Sequence, residues 1–194
     1  QKPAYELLRS LVGSEMCIRD RPSWSWLSTK PSPPERRVLF DDNGLKEPTY
    51  KSRWHYTSDR ILKHTRTLDI TPLIGPKEWK EIVKIELNKK EDGSEFLELD
   101  WSSKVEIQYL PTRNITEELL KTLPNVCGIA FVKRDYFKLG ILIAHEGYVL
   151  NRSNLVHASS ELKKTVNVDL LEYIKQDGNY RFDGAMFFEL DPIN

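Results

Sequence analysis

A chain of 194 residues has room for one domain with a sizeable core. With 39% hydrophobic and 30% charged residues and a negative mean hydropathy, it reads as a soluble globular protein with a wide polar surface. The 29 basic and 29 acidic residues cancel, so no global field draws nucleic acid or an anionic membrane, and no apolar run approaches the ~20 residues of a membrane helix.

The N-terminus shows no basic region followed by an apolar stretch and a cleavage site, so no signal peptide is read there. The sequence starts at Gln1, and the native start is expected to be missing. Residues 1–36 are expected to be disordered and non-native, because Pro22, Pro31, Pro33 and Pro34 interleave with Ser23, Ser25, Ser28 and Ser32 and deny any regular element. The run Leu8-Arg9-Ser10-Leu11-Val12-Gly13-Ser14-Glu15-Met16-Cys17-Ile18-Arg19-Asp20-Arg21 resembles translated sequencing-adaptor sequence. The alternative is a short native helix, since Tyr5, Leu8, Leu11 and Val12 have helical spacing.

Residues 37–194 are taken as the folded part. Asp41-Asp42-Asn43-Gly44 is a turn signal, and Arg53-Trp54-His55-Tyr56-Thr57-Ser58-Asp59 is a dense polar and aromatic patch in a structured loop. Pro76 through Lys90 reads as a helix, with Trp79, Ile82, Val83 and Glu86 on one stripe and Asp92-Gly93 closing it. Val105, Ile107 and Tyr109 alternate with Glu106, Gln108 and Leu110 until Pro111, the pattern of a half-buried strand. A short helix follows, capped by Thr116 or by Asn114 with Glu117 three residues on. Three apolar runs, Val126 to Val132, Leu139 to Leu150 and Asn154 to Ala158, then form an antiparallel meander whose last two strands join through Asn151-Arg152-Ser153. Val168, Leu170, Leu171, Tyr173 and Ile174 mark a helix opened near Asn167 or Asp169 and ended by Gly178, and Ala185 to Leu190 supplies a closing strand. The order predicts an α+β fold with a central antiparallel sheet.

His145 interrupts the apolar strand Ile141-Leu142-Ile143-Ala144-His145-Glu146-Gly147-Tyr148-Val149-Leu150, and His157 ends the next, Asn154-Leu155-Val156-His157-Ala158-Ser159-Ser160. Pairing across the hairpin brings the imidazoles to one region of the sheet, while Gly147 permits close approach of backbone or substrate. An imidazole with a pKa near ~6.5 is the natural base for a thiol, and a second polar group on its other nitrogen fixes its tautomer. The bland reading makes each a satisfied core or rim histidine. Two histidines alone are a thin metal ligand set, since Glu146 points to the opposite face, so neither metal nor cofactor is expected. Two cysteines are too few for a disulfide framework or a cysteine-based zinc site. His64 reads as a surface residue.

Cys127 to Ser160 resembles the C-terminal part of the catalytic domain in the NlpC-type cell-wall hydrolases, with a His-x-Gly strand and, a dozen residues on, an apolar-apolar-His-Ala-Ser strand. Within that papain-like superfamily the chain is identified as a member of the N-acetylmuramoyl-L-alanine amidase-like family (domain-of-unknown-function family 1460). The Arg53 to Asp59 patch and the Leu170-Leu171-Glu172-Tyr173-Ile174 segment carry that narrower likeness, which covers roughly Val38 to Leu190. The resemblance implies a periplasmic or cell-envelope cysteine hydrolase, acting as a monomer on muropeptides and cutting the amide between N-acetylmuramic acid and L-alanine. It also implies His145 as general base and His157 as the orienting group.

The family's cysteine opens a helix ahead of the Arg-His-Tyr patch, and no residue here matches it. Cys17 is followed by Ile18-Arg19-Asp20-Arg21-Pro22 rather than an amphipathic helix, and Cys127 reads as a small core thiol. The expectation is therefore a domain lacking its N-terminal catalytic helix and inactive as it stands. The other readings are a non-catalytic muropeptide-binding domain and a peptide-stem endopeptidase. Arg53, His55, Tyr56 and Asp59 are candidate substrate contacts, Arg53 through its bidentate fork for a carboxylate and the aromatics for a sugar face. They fit a buried hydrogen-bonded anchor equally well.

Overall fold

The computed structural model describes residues 55–64 and 67–190. The expectations for residues 1–36, and those placed on Cys17 and Arg53, lie outside the described residues. In chain order the elements are α1 (Thr57–Lys63), β1 (Thr67–Asp69), β2 (Glu81–Leu87), β3 (Ser103–Pro111), α2 (Glu117–Thr122), β4 (Val126–Val132), β5 (Ile143–Leu150), β6 (Asn154–Ser159), β7 (Lys164–Asp169), α3 (Leu170–Tyr173), β8 (Lys175–Gln176), β9 (Asn179–Tyr180) and β10 (Gly184–Leu190). Eight strands form one sheet in the order β2-β3-β10-β4-β5-β6-β7, with β1 also paired to β10. Every pairing is antiparallel, which bears out the α+β class and its antiparallel sheet.

The sheet has its longest apolar runs at its centre. Cys127 to Val132 of β4 and Gly184 to Phe188 of β10 are buried without a break, as strands covered on both faces must be. Ile129, Phe131, Ala185 and Phe187 join Leu119, Leu120 and Leu123 from α2 and its end, and Leu170 of α3, in one core. The alternate residues Ala130, Val132, Met186 and Phe188 pack with Ile61 of α1, Ile107 and Tyr109 in a second core, because successive side chains on a strand point to opposite faces. A third cluster joins Tyr56, Leu87, Leu99 and Ile141.

Two elements depart from the sequence reading. Pro76 to Lys90 is not a helix: Pro76 precedes a 3-10 turn at Lys77–Trp79, and β2 then pairs over its whole length with β3. Ile82, Val83 and Glu86 fit a helical stripe, yet Val83, Ile85 and Leu87 also fit a two-residue period, and β-branched residues with a seven-pair partner settle the choice for strand. The helix expected from Val168 to Ile174 shrinks to the single turn of α3. Its cap is Asp169, whose Oδ1 accepts from Glu172 N at 2.9 Å, while Val168 belongs to β7. Gly178, at φ 77°, turns the β8–β9 hairpin rather than ending a helix. Ala185 to Leu190 forms the expected strand, as β10, which lies between β3 and β4.

Thr116 is the cap of α2, its Oγ1 accepting from Leu119 N at 3.3 Å. Asn114 instead donates to the Trp79 carbonyl at 2.9 Å. The Asn151-Arg152-Ser153 connection is the expected hairpin, with Asn151 and Arg152 at φ 51° and 64°, the left-handed pair that a tight turn between twisted strands demands.

Candidate functional site: a coupled histidine pair

Strand β5 delivers His145 and β6 delivers His157. The β5–β6 ladder runs from Leu150–Asn154 to Tyr148–Val156 and stops there, so the imidazoles stand just past its open end. His145 Nε2 and His157 Nδ1 lie 2.8 Å apart, with the rings nearly perpendicular at 88°. Gly147 makes this approach possible. A Cβ there would sit 2.8 Å from the Val156 carbonyl oxygen and 3.0 Å from His157 Cβ, so what the missing side chain admits is the backbone of β6.

The rest of the frame is aromatic. Phe131, facing His145 across β4–β5, lies parallel to its ring with centroids 6.1 Å apart, and Phe182 stacks on Phe131 at 4.4 Å. Tyr173 of α3 packs against His157 at 4.5 Å and His145 at 6.1 Å. The guanidinium of Arg181 lies 4.6 Å over the Tyr173 ring. Tyr173 entered the sequence reading as a helix residue and within the segment that carries the family likeness, not as a site residue, and neither Phe182 nor Arg181 was marked. Nothing local signals them, because the β8–β9 hairpin carries them back to the site from more than twenty positions beyond His157.

These surroundings keep both imidazoles neutral. Burial pulls His145 down to a pKa of about 4, helped by the neighbouring His157 and by the charge of Arg181. Burial also lowers His157, with a hydrogen bond to the Ala158 backbone working against it and Arg181 adding to it. In the neutral pair one nitrogen donates and the other accepts. Among the described residues the bond to His157 is the only hydrogen bond of the His145 ring, which leaves its Nδ1 edge to receive a proton.

A stability consequence follows. A histidine whose folded pKa lies below its unfolded value of ~6.5 lets the unfolded chain take up protons first, so stability is full above ~6.5 and is lost as pH falls toward about 4. At pH 5 the loss should be on the order of 2 kcal/mol relative to pH 7. Urea unfolding at the two pH values measures it, and His145→Asn should remove most of the difference. Equal pH slopes in the two proteins would rule the assignment out.

The other candidates fall elsewhere. Cys127 is a core thiol on β4 opposite Val149, four positions and therefore roughly 13 Å along the strand from Phe131. Burial, then the charge of Glu189, push it up to about 12, the opposite of what a nucleophile needs. His55, Tyr56 and Asp59 are buried and are not brought to the histidine pair. They belong to the segment around α1, which meets the other face of the sheet: Glu146, pointing away from His145, accepts from Arg60 Nη2 at 2.7 Å and from Thr57 Oγ1 at 3.0 Å. Tyr56 donates to Asn88 Oδ1 at 2.8 Å and meets Trp101 edge-on at 5.6 Å. These contacts make Tyr56 a buried hydrogen-bonded anchor. His64, read as a surface residue, is also buried because it terminates α1 and its carbonyl accepts from Thr67 N at 3.0 Å.

Residues 42–179 match the model of a family described as N-acetylmuramoyl-L-alanine amidase-like. Among solved structures, a Legionella pneumophila protein is 20% identical with a TM-score of 0.58, over 76% of this chain and 65% of its own. An N-acetylmuramoyl-L-alanine amidase from Bacteroides uniformis is 23% identical with a TM-score of 0.53, over 81% of this chain and 72% of its own. At these identities the likeness is one of fold, and the chain spans a little under two thirds of the Legionella structure. No curated protein matches the chain.

Proposed function

Because the chain belongs to the N-acetylmuramoyl-L-alanine amidase-like family, we propose that it is the histidine-bearing part of a papain-like, NlpC-type cysteine amidase acting on peptidoglycan fragments in the cell envelope. The observation that carries this reading is the 2.8 Å bond between His145 Nε2 and His157 Nδ1. Bonded there, His145 presents only Nδ1 outward, so one nitrogen is fixed by an orienting partner and the other is offered to a reacting group.

The proposed reaction is attack of a cysteine thiolate on the carbonyl that joins N-acetylmuramic acid to L-alanine. His145 Nδ1 takes the thiol proton, and His157 Nδ1 accepts from the His145 Nε2–H throughout, holding the tautomer. The tetrahedral adduct collapses with the C–N bond breaking, His145 returns the proton to the leaving amine, and water then hydrolyses the thioester with His145 again as base. A base of pKa about 4 is neutral and ready at physiological pH, and the thiolate formed beside it would raise its basicity by opposite charge.

The nucleophile is assigned to a cysteine that opens a helix against the Nδ1 edge of His145. Cys127 is excluded by its place on β4, and Cys17 lacks a following amphipathic run, so the reading puts that cysteine on sequence other than these 194 residues. The test compares the protein Gln1–Asn194 with a version joined to the native gene segment upstream of Val38, both incubated with purified muropeptides and the products weighed by mass spectrometry. The extended protein should release intact stem peptide, lose that activity on alkylation, and leave the shorter protein without turnover. Turnover by the shorter protein that depends on His145 defeats the assignment of the nucleophile. Cuts within the stem make the enzyme an endopeptidase, and binding without cleavage by the extended protein makes the domain a muropeptide receptor.

A further inference from the structure

The arginines of the described residues divide by what they hold. Arg60 is paired with Glu146, and Arg113 and Arg134 are both paired with Glu81. Arg152 Nε donates to the Leu123 carbonyl at 2.9 Å. Arg181 is exposed and, among the described residues, makes neither an ion pair nor a side-chain hydrogen bond. Its backbone is nonetheless fixed on both sides: its N–H donates to the Ile174 carbonyl at 2.9 Å, and its carbonyl accepts from Lys133 Nζ at 3.1 Å. The guanidinium lies 4.6 Å over Tyr173, which packs against both histidines, and 5.9 Å over Phe182, which packs against Tyr173. A solvated surface arginine has no need of so rigid a platform.

We infer that Arg181 receives the first free carboxylate on the peptide side of the scissile amide, its guanidinium presented at the rim of the histidine pair by the rings of Tyr173 and Phe182. This rests on the muropeptide reading above and makes it more specific. An arginine stacked by its face keeps its N–H edge free for the bidentate grip that a carboxylate accepts. The reach also agrees. From the Arg181 guanidinium to the His145 ring is no farther than the steps of 4.6 Å to Tyr173 and 6.1 Å from Tyr173 laid end to end. A carboxylate on the second residue of an extended peptide lies roughly 7 Å from the first residue's amide. The charge of Arg181 is felt by both imidazoles and by Tyr173, which puts it in the same electrostatic neighbourhood as the reacting groups.

The experiment needs no turnover. Binding of N-acetylmuramyl-L-alanyl-D-glutamate and of the same compound with both side carboxyls amidated is measured calorimetrically on the extended protein with its nucleophilic cysteine replaced by Ala, and on the same protein carrying Arg181→Gln or Arg181→Lys. The unaltered protein should prefer the acid by about tenfold or more, since a charge-assisted pair is worth that much. Arg181→Gln should bind both alike, at the affinity the unaltered protein shows for the diamide, and Arg181→Lys should keep part of the preference. A preference that survives in Arg181→Gln, or an unaltered protein that binds both compounds equally, overturns the Arg181 assignment and leaves the muropeptide reading standing. If the unaltered protein binds neither compound, the muropeptide reading falls, and the assignment with it. A uniform loss for both compounds in Arg181→Gln marks a residue that only positions Tyr173, and also overturns the proposal.

Discussion

His145→Ala, made in the protein that carries its nucleophilic cysteine, should lower kcat by about 10²–10⁴, the usual contribution of a positioned general base. His157→Ala should fall in the same range, because an imidazole without a partner on Nε2 is free to turn and to take the wrong tautomer. The two losses should not multiply, since both changes disable one unit. His157→Asn separates the roles: its carboxamide can still accept from His145 Nε2, so it should recover a part of what His157→Ala loses. Steady-state kinetics on muropeptides measure all four proteins. A kcat for His145→Ala within tenfold of the unaltered enzyme would defeat the base assignment, and a His157→Asn no better than His157→Ala would defeat the orienting role.

Gly147→Val should do comparable damage without touching either imidazole. A Cβ at this position meets a carbonyl oxygen at 2.8 Å and His157 Cβ at 3.0 Å, and the first of these is backbone, which cannot swing aside. Either β6 moves outward or β5 twists, and both open the 2.8 Å bond between the rings. The expected loss of stability is about 1–3 kcal/mol, typical of overpacking at a buried site. Denaturant unfolding gives that figure, and ¹⁵N spectra of the histidines report the pair directly. Gly147→Ala is the milder test: it should perturb the ring nitrogens while the protein still folds. Unchanged ring signals in Gly147→Ala would show that the pairing does not depend on the glycine.

The histidine pair was legible because it rests on short-range rules. A hairpin with a tight turn fixes its register, and the register alone decides that residues on adjacent strands meet. The strand at 103–111, the cap at Thr116 and the core place of Cys127 yielded to the same local reasoning. Residues 81–87 misled because amphipathic helix and half-buried strand share residues over so short a span, and only a distant partner, β3, decides between them; Val168, read as the first apolar residue of a helix, went to β7 through its pairing with Leu155 of β6. The anchor around Tyr56 was ambiguous for a different reason. A polar and aromatic segment looks alike whether its hydrogen bonds go to Asn88 or to a ligand, and burial, which tells them apart, is not a local property. Arg181 was invisible altogether, since a lone arginine after a two-residue hairpin has no pattern to betray it.

The place of β10 has a consequence for how the protein is made. Gly184–Leu190 lies between β4 on one side and β3 and β1 on the other, and it is translated after every other described strand. Thr71 already waits for it: its hydroxyl bonds the Phe187 backbone across 116 residues of chain. Until the ribosome has released this last strand, β4 has one open flank and both cores lack the residues that β10 supplies to them. Contacts of such long sequence separation make folding slow and keep bare strand edges exposed during synthesis. Nascent chains of this protein are thus the form in which it would be most vulnerable to self-association, and the form in which a chaperone would find most to hold.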